Sequence, residues 1–186
     1  MRVITGKARG AVLKAPDGLL TRPTADRVKV AMFNILQFEM EGRRVLDLFA
    51  GSGQLGIEAL SRGAREAVFV DCRRQALQVV RENLAHTKLL ASARLVEADY
   101  MQYLSRCRER FDLILLDPPY AEKFLENALQ KISEIDILSD RGIIVAERPV
   151  EKPSAGDFAG LSRSRDYKYG KTLITVYRKE IAEEEA

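Results

Sequence analysis

Short apolar runs alternate with helical patterns from residue 44 onward. Five runs are typical of strands, namely RVLDLFA, EAVFVD, ARLVEAD, FDLILLD and GIIVAER. Helices are expected between them, near Gln54 to Ser61, Arg73 to Leu89, Tyr100 to Cys107 and Glu122 to Glu134. Strands that are apolar throughout and separated by helices indicate a parallel sheet that is covered on both faces. The pattern therefore predicts an α/β domain over residues 41–179.

The two ends of the chain follow other patterns. Near the start, RVIT and AVLKA flank the turn-forming GKARG, and a helical stripe follows at Val28, Ala31, Met32, Ile35 and Leu36, with Thr24 as the expected N-cap. Near the other end, two β-prone runs flank KYGK with no helix between them, which predicts an antiparallel hairpin. We therefore expect a β-hairpin and helix extension over residues 1–40 and an acidic tail over residues 180–186.

Composition limits the class of protein. The chain has 186 residues, of which 46% are hydrophobic and 31% are charged, as in a soluble globular protein. Its start lacks the apolar core of a signal peptide, so a cytoplasmic protein is expected. Cys72 and Cys107 have no metal-ligand spacing, and His86 is the only histidine. No metal site is predicted.

Basic residues crowd the first thirty positions. They are Arg2, Lys7, Arg9, Lys14, Arg22, Arg27 and Lys29, against only two acids, Asp17 and Asp26. A solvated surface explains such a segment, and the charge by itself favours that interpretation. An arm that contacts nucleic-acid phosphates is the other interpretation.

Three glycines follow the first predicted strand. Gly51, Gly53 and Gly56 form a G-x-G-x-x-G between a strand and a helix, and Asp71 ends the next strand about twenty residues later. Glycines at this spacing are weak evidence alone, because any tight turn favours glycine. The flanking strand, helix and acid together predict a nucleotide-type pocket.

Four strands end in an acid. These are Asp47, Asp71, Asp99 and Asp117. The carboxyl ends of parallel strands line the ligand crevice, so these carboxylates would repel the phosphates of NAD or ATP, and no G-K-[ST] follows the glycines. A cationic ligand fits better, although any one of the acids could simply cap the following helix.

S-adenosylmethionine is a cationic nucleoside without phosphate. It carries a sulfonium, an ammonium, two ribose hydroxyls and an adenine amine. The glycine loop and Asp47 would hold its methionine moiety, Asp71 the ribose hydroxyls and Asp99 the adenine amine.

The segment DPPY, Asp117 to Tyr120, suits the transfer of a methyl group to a nucleobase amine. The Asp117 carboxylate and the Pro118 carbonyl can accept the two amine protons and orient the nitrogen lone pair. Pro118 and Pro119 restrict the backbone, and Tyr120 can stack on a flipped base. The other interpretation is a rigid loop with Tyr120 on the surface.

With these motifs, VLDLFAGSGQLGIEAL and LLDPPY, the chain resembles the class I S-adenosylmethionine-dependent methyltransferases that act on nucleobase amines. MRVITGKARG, TRPTADRVKVAMFNIL and KYGKT make it similar to the RsmD family of bacterial 16S rRNA methyltransferases. The resemblance implies a Rossmann-like fold, with a mostly parallel seven-stranded sheet, helices on both faces and a C-terminal antiparallel hairpin. It also implies transfer of one methyl group to a guanine N2, that of guanine 966 in the family, with S-adenosylhomocysteine as product and no metal.

The resemblance also implies roles for individual residues. The cofactor site would comprise Asp47, Gly51, Gly53, Gly56, Asp71 and Asp99, within a methyltransferase domain over residues 41–179. The catalytic residues would be Asp117, Pro118, Pro119 and Tyr120. RNA would be contacted by Lys7, Arg9, Arg22, Thr24 and Arg27.

The implied partner is 16S rRNA within the 30S subunit or its assembly intermediate, and a monomer is expected. Two positions depart from the family pattern. Lys171 stands where an acid is expected in KYGDT, and Arg148 stands where a histidine is often found. Both departures concern RNA contact rather than the cofactor.

Three other functions stay open. An adenine-N6 DNA methyltransferase uses the same acid-Pro-Pro-aromatic segment, but the short chain has no separate target-recognition domain. A non-catalytic nucleic-acid binding protein could retain the same fold. A dinucleotide-dependent oxidoreductase is disfavoured by the acidic pocket.

Overall fold

The computed structural model describes residues 1–16, 23–119, 123–151 and 158–180, without the side chains of 23–26. The helices are α1 (Pro23–Ile35), α2 (Gln54–Ser61), α3 (Arg74–His86), α4 (Tyr100–Arg106) and α5 (Phe124–Ile135), with a 3-10 turn at Leu90–Ser92. The strands are β1 (Arg44–Asp47), β2 (Glu66–Asp71), β3 (Ala93–Glu97), β4 (Phe111–Leu116), β5 (Leu138–Pro149), β6 (Leu161–Tyr169) and β7 (Thr172–Lys179).

The strands form one sheet in the order β3-β2-β1-β4-β5-β7-β6. The pairs from β3 through to β5 are parallel, and β7 is antiparallel to both β5 and β6. This confirms the predicted Rossmann-like sheet with a C-terminal hairpin. The chain order reverses between β1 and β4, which is where α/β sheets of this kind bind their ligands.

Helices cover the two faces of the sheet unequally. On the first face, α1, α2 and α3 pack over alternate strand residues such as Val45, Leu113 and Ile143. On the second face, α4 and α5 pack over the residues between them, such as Leu46 and Ile114. Because both faces are covered, the central strands are apolar throughout, and this is why the sequence showed unbroken apolar runs.

Helix α1 begins at Pro23, one residue before the predicted cap. Proline suits the first helical position because its missing N–H has no partner there in any helix. Thr24 therefore lies within the first turn, and its prediction as the N-cap was wrong. Of the predicted apolar stripe, Val28, Ala31, Met32 and Leu36 are buried and Ile35 is half-buried.

The N-terminal arm, residues 1–16, pairs with itself less than the sequence predicted. Arg2 and Val12 form an isolated antiparallel bridge in place of two full strands. The arm turns instead to helix α2, where the backbone N–H groups of Ile4 and Thr5 donate to the Glu58 carboxylate at 2.7 and 3.0 Å. Hydrogen bonds to a charged acceptor are stronger than neutral ones, so this contact competes successfully with strand pairing.

The end of α2 holds the next part of the arm. Lys7 N donates to Ser61 O at 2.8 Å, and Ala8 N donates to Ser61 Oγ at 2.9 Å. The Ser61 hydroxyl donates in turn to Thr5 O at 2.6 Å. Helix α2 thus fixes the course of the arm with its side chains and its terminal carbonyl.

No helix within the described ranges is long and apolar enough to cross a membrane. A charged cleft lies at the edge of the sheet where the parallel strands begin, between Arg43, Asp140 and Arg178. Ion pairs link its walls, including Lys179 with Asp140 at 3.1 Å. This cleft is at the opposite edge from the strand-end acids.

Replacing Glu58 by Ala should release the arm from α2. Glu58 is fully buried and also accepts from Arg62 Nε at 2.7 Å, so its removal leaves two N–H groups and a guanidinium without their acceptor. We expect a loss of about 3 kcal/mol in the free energy of unfolding and faster hydrogen exchange at Ile4 and Thr5. Glu58→Gln, which keeps an acceptor oxygen, is the control and should lose less; equal protection of both amides in the Ala variant would contradict the assignment.

Candidate active site

Three acids meet where the chain order reverses. Asp47 ends β1, Asp71 ends β2 and Asp117 follows β4, and these strands are neighbours in the sheet. Asp47 pairs in register with Phe69 and Leu115, so Asp71 and Asp117 each lie two residues beyond it. Residues two apart on a strand share a face, and the three carboxyls therefore converge at one edge of the first face.

Asp47 is the most enclosed of these acids. It is 1% exposed; its Oδ2 accepts from Gly56 N at 3.0 Å, and its Oδ1 has no hydrogen-bond partner among the described residues. Burial raises the pKa of Asp47 to about 7, against the lowering effect of the Gly56 N–H and with a further rise from the charge of Asp71. The unpartnered oxygen and the raised pKa mark a position that a cation or a hydrogen-bond donor would stabilise.

The glycine loop approaches Asp47 and Asp71 through its backbone. Gly51 N donates to Asp71 Oδ2 at 2.9 Å, and Gly53, with a left-handed φ of 77°, caps helix α2. Gly56 packs so tightly on β2 that a Cβ there would lie 2.3 Å from Phe69 Cε1. Its place in the motif therefore follows from the close packing of helix on strand.

Asp71 is fully engaged in hydrogen bonds. Its Oδ1 accepts from Arg73 N at 2.9 Å and from Arg73 Nε at 3.2 Å, and its Oδ2 accepts from Gly51 N and from Arg73 Nη2 at 3.3 Å. The Arg73 side chain is 53% exposed. The hydroxyls of a ligand can reach Asp71 if the Arg73 side chain moves away, while the backbone N–H donors stay in place. Arg73 was not predicted as a site residue, because nothing in its sequence spacing distinguishes it from other surface cations.

Asp99 has a capping role. Its Oδ1 accepts from Met101 N at 2.9 Å and from Gln102 N at 3.3 Å at the start of α4, and the residue is exposed. For this acid the capping interpretation left open by the sequence is confirmed. Both bonds use one oxygen, so contact with an adenine amine through the other oxygen stays a prediction.

Asp117 lies beside a fourth acid, Glu147. Leu116 pairs in register with Ala146, which brings the next residues of the parallel strands, Asp117 and Glu147, side by side. Burial raises the pKa of Asp117 well above its usual value, and the charges of Glu147 and Asp47 raise it further. Glu147 was not predicted as a site residue; its signal in the sequence is an acid directly after the apolar run GIIVA.

The rest of the DPPY segment is only partly described. Pro118 is buried and Pro119 is exposed, which anchors one proline and leaves the other at the surface. Tyr120 lies outside the described residues. Its stacking role therefore stays a prediction.

Three aromatic rings lie next to this segment. The Phe49 ring is 5.1 Å from that of Tyr100 and 6.3 Å from that of Phe124, and the latter two are 5.5 Å apart between centroids. They join the loop after β1 to the first residues of α4 and α5. These contacts fix the start of α4, which Asp99 caps, and the start of α5.

The predicted RNA-contacting residues lie apart from the acids. Lys7 and Arg9 are exposed beside the last turn of α2, whereas the glycine loop precedes its first turn. An eight-residue helix is about 12 Å long, which sets their separation along the helix axis. Arg27 is exposed on α1; Arg22 and the Thr24 side chain lie outside the described residues.

A buried asparagine connects the arm to the glycine loop. Asn83 of α3 is 1% exposed, and its Nδ2 donates to Ser52 O at 2.9 Å and to Lys14 O at 3.0 Å. Its Oδ1 accepts from Lys14 N at 2.8 Å. One amide thus satisfies groups from both segments. Its only sign in the sequence is a polar residue on an apolar helix face.

The two departures from the family pattern lie in different settings. Arg148 is 5% exposed, and its guanidinium donates to Thr175 Oγ1 at 3.2 Å and to Asp166 Oδ2 at 3.3 Å. It points to the face opposite that of Glu147, because neighbouring strand residues alternate. Lys171 is exposed in the turn between β6 and β7. Within the described ranges, no group of three or more His, Cys, Asp or Glu side chains could hold a metal ion.

Comparisons with known proteins cover nearly the whole chain. A family model described as "Conserved hypothetical protein 95" matches residues 1–178. "Putative rRNA methyltransferase YlbH" of Bacillus subtilis (strain 168) is 44% identical over 185 residues, spanning 96% of this chain and 99% of that protein. "Ribosomal RNA small subunit methyltransferase D" of Escherichia coli (strain K12) is 34% identical over 180 residues, spanning 97% and 90%.

A solved structure agrees with these sequence matches. "Putative methyltransferase yhhF from Escherichia coli" superposes with a TM-score of 0.85 at 35% identity, covering 97% of this chain and 98% of that one. The arm, the sheet and the hairpin therefore recur together in a similar protein.

Asp47→Asn should change how stability depends on pH. The pKa of an unfolded aspartate is 3.8, whereas that of folded Asp47 is about 7. As pH rises between these values, the unfolded chain loses its proton while the folded protein keeps it, so the free energy of unfolding of wild type falls. We expect the Tm of the variant, relative to wild type, to rise from pH 4 to pH 7 and then level off. The full effect corresponds to about 4 kcal/mol.

Thermal unfolding of the ligand-free proteins across this range measures the difference. Asp140→Asn removes a carboxylate that is 81% exposed at the opposite edge of the sheet, and its Tm difference should not rise across the same window. A Tm difference for Asp47→Asn that is flat with pH would show that Asp47 ionises at its ordinary pKa.

Proposed function

The chain belongs to the family described as "Conserved hypothetical protein 95", together with ribosomal RNA small subunit methyltransferase D, and on that premise we propose that it methylates the N2 amine of a guanine in 16S rRNA. The methyl donor is S-adenosylmethionine. The target is the guanine that corresponds to guanine 966 in the family, presented by the 30S subunit or an assembly intermediate. The observation that carries the proposal is the convergence of Asp47, Asp71, Asp117 and Glu147 at one end of the sheet.

Charge supports a cationic nucleoside as the ligand. The charge of Asp71 lies close enough to raise the pKa of Asp47, and Asp47 Oδ1 has no partner among the described residues. A sulfonium and an ammonium would relieve this repulsion, whereas the phosphates of a dinucleotide would add to it. Asp71 would accept from the ribose hydroxyls in place of the Arg73 guanidinium, and the Gly51–Gly53 backbone would border the methionine moiety.

Asp117 and Pro118 would orient the acceptor amine. The bound donor supplies an electrophilic methyl carbon on a good thioether leaving group. The guanine N2 lone pair forms the new N–C bond as the C–S bond breaks, and the nitrogen then sheds one proton. Acceptors on both N–H groups, the Asp117 carboxylate and the Pro118 carbonyl, would turn the lone pair out of conjugation.

The acid pair, Asp117 and Glu147, makes Asp117 a suitable acceptor for the proton in the last step. A carboxyl whose pKa is raised by burial and by the charges of Glu147 and Asp47 is a stronger base than a free aspartate once it is ionised. Asp117 can therefore accept the proton that N2 loses. Pro119 and Tyr120 would border the flipped base.

The extension over residues 1–40 would contact the RNA around the target. Lys7, Arg9 and Arg27 are exposed there, and Glu58 and Ser61 hold the arm in a fixed course. Arg22 and Thr24 belong to the same predicted contact. Because Lys7 and Arg9 lie about one helix length from the glycine loop, they would reach phosphates distant from the target base.

Methyl transfer to ribosomal subunits tests the proposal directly. Labelled methyl from S-adenosylmethionine should appear as N2-methylguanosine in 16S rRNA of 30S subunits that lack the modification. Asp117→Asn should slow transfer at least 100-fold and change the dissociation constant of the cofactor less than threefold. Asp140→Asn, the same change at the opposite edge, should leave both unchanged.

Other outcomes would identify the other functions. Label in adenine of duplex DNA would indicate an adenine-N6 methyltransferase, and cofactor binding without transfer to either nucleic acid would indicate a binding protein. Equal loss of cofactor affinity and turnover in Asp117→Asn would contradict a role specific to the amine.

Substitutions at Asp71 and Arg73 should have different effects on cofactor affinity. Asp71→Ala removes the acceptor for the ribose and should weaken S-adenosylhomocysteine binding at least tenfold, which is about 1.4 kcal/mol. Arg73→Ala removes the side chain that occupies the same carboxylate and should leave affinity equal or tighter. Calorimetric titration measures both; a large loss in Arg73→Ala would show that Arg73 contacts the cofactor instead of competing with it.

A further inference from the structure

The β6–β7 hairpin reaches the same edge of the sheet as the acids. Strands β5 and β6 are both antiparallel to β7, so β6 runs parallel to β5 and ends at the carboxyl edge with Tyr169. Thr172 pairs with both Pro149 and Tyr169, which fixes this alignment. Val150 N also donates to Lys171 O at 3.0 Å, tying the hairpin turn to the end of β5.

Two tyrosines of β6 lie on the face that carries the acid pair. Tyr167 pairs with Ile174, and Ile174 pairs with Glu147, so the three residues form one cross-strand row. Tyr167 and Tyr169 are half-buried and pack against the first-face core. Neighbouring strands lie about 4.8 Å apart, which places Tyr167 about 10 Å from Glu147 across the sheet.

Cations flank these rings. Arg165 lies over the Tyr167 ring, 5.3 Å from its centroid, and Lys171 is exposed in the turn that follows Tyr169. Neither of these two cations forms an ion pair with a carboxylate in the described part of the chain. Lys168 pairs with Leu173, which pairs with Arg148, so it lies on the other face of the sheet. The acid of the same strand, Asp166, is already bound by Arg148 and Arg163.

Edge protection accounts for only part of this arrangement. β6 is the last strand of the sheet, and lysines on such an edge prevent pairing with other chains. That role requires no aromatic rings on the sheet face and no guanidinium stacked over one. Half-exposed rings that are flanked by cations without ion pairs are typical of surfaces that stack bases and contact phosphates.

We propose that the hairpin surface, defined as Arg165, Tyr167, Tyr169 and Lys171, binds unpaired RNA next to the target guanine. This rests on the proposed function. The rings would stack on the bases that flank the flipped nucleotide, and the cations would contact their phosphates. The surface continues from the acid pair along one face, whereas Lys7 and Arg9 of the arm lie at the far end of α2.

Paired variants separate the two parts of the surface. Arg165→Gln with Lys171→Gln removes two exposed charges, and Tyr169→Leu removes a ring while keeping an apolar side chain against the core. The control, Arg106→Gln with Arg141→Gln, removes two exposed cations from the opposite edge of the sheet. All are made in the full chain, and unchanged S-adenosylhomocysteine affinity and Tm confirm that each variant is folded.

Binding of a fluorescein-labelled, unstructured RNA decamer is measured by anisotropy at several salt concentrations. The double variant Arg165→Gln with Lys171→Gln should lower affinity about tenfold at low salt and reduce the slope of log K against log salt by about 1.4. Tyr169→Leu should lower affinity about tenfold without changing that slope. With 30S subunits, both should raise KM for the subunit and leave the cofactor dissociation constant unchanged.

The outcomes distinguish this proposal from the one on which it rests. If wild type methylates 30S subunits while the hairpin variants match the opposite-edge control in affinity, slope and KM, the hairpin surface is not an RNA contact and its cations only protect the edge. If wild type binds duplex DNA more tightly than the decamer through these residues, the assignment to unpaired RNA is wrong. If wild type methylates no RNA at all, the proposed function itself fails.

Discussion

The chemistry of this protein depends on the mutual repulsion among buried and half-buried carboxyls at the carboxyl end of the parallel strands. Asp47, Asp71, Asp117 and Glu147 are brought together by strand register alone, and removal from water makes each charge more costly to its neighbours. The backbone offsets part of this cost through Gly56 N on Asp47 and Gly51 N on Asp71. Among the described residues, Asp47 Oδ1 has no hydrogen-bond partner, and an unsatisfied polar atom in a native site commonly marks the position of a ligand.

Sequence patterns predicted the sheet, the helix order and the position of the acids. Apolar runs reveal buried parallel strands because both of their faces are covered, and the register then follows from strand order. The same patterns gave a wrong prediction where backbone N–H groups donate to a distant side chain instead of to a neighbouring strand. RVIT looks like a strand, yet the N–H groups of Ile4 and Thr5 donate to Glu58, more than fifty residues away.

Long-range pairing also explains the missed site residues. Glu147 is significant because β5 lies next to β4, and Arg73 because its guanidinium folds back on Asp71; neither relation is visible in local spacing. Asp99 shows the reverse case. The pattern of strand-end acids assigned it to the cofactor site, yet a local rule, helix capping, accounts for both of its hydrogen bonds. Local rules thus identify single residues well, whereas charge clusters depend on topology.

Asn83 makes the arm and the glycine loop parts of one mechanical unit. Its amide holds the Ser52 carbonyl and both backbone groups of Lys14, and Asn83 itself is buried. A ligand that shifts Ser52 must therefore move Lys14 or break a buried bond. Linkage is reciprocal, so an RNA that holds the arm would alter cofactor affinity by the same factor by which the cofactor alters RNA affinity. The order in which the two substrates bind would then leave the affinity of the ternary complex unchanged.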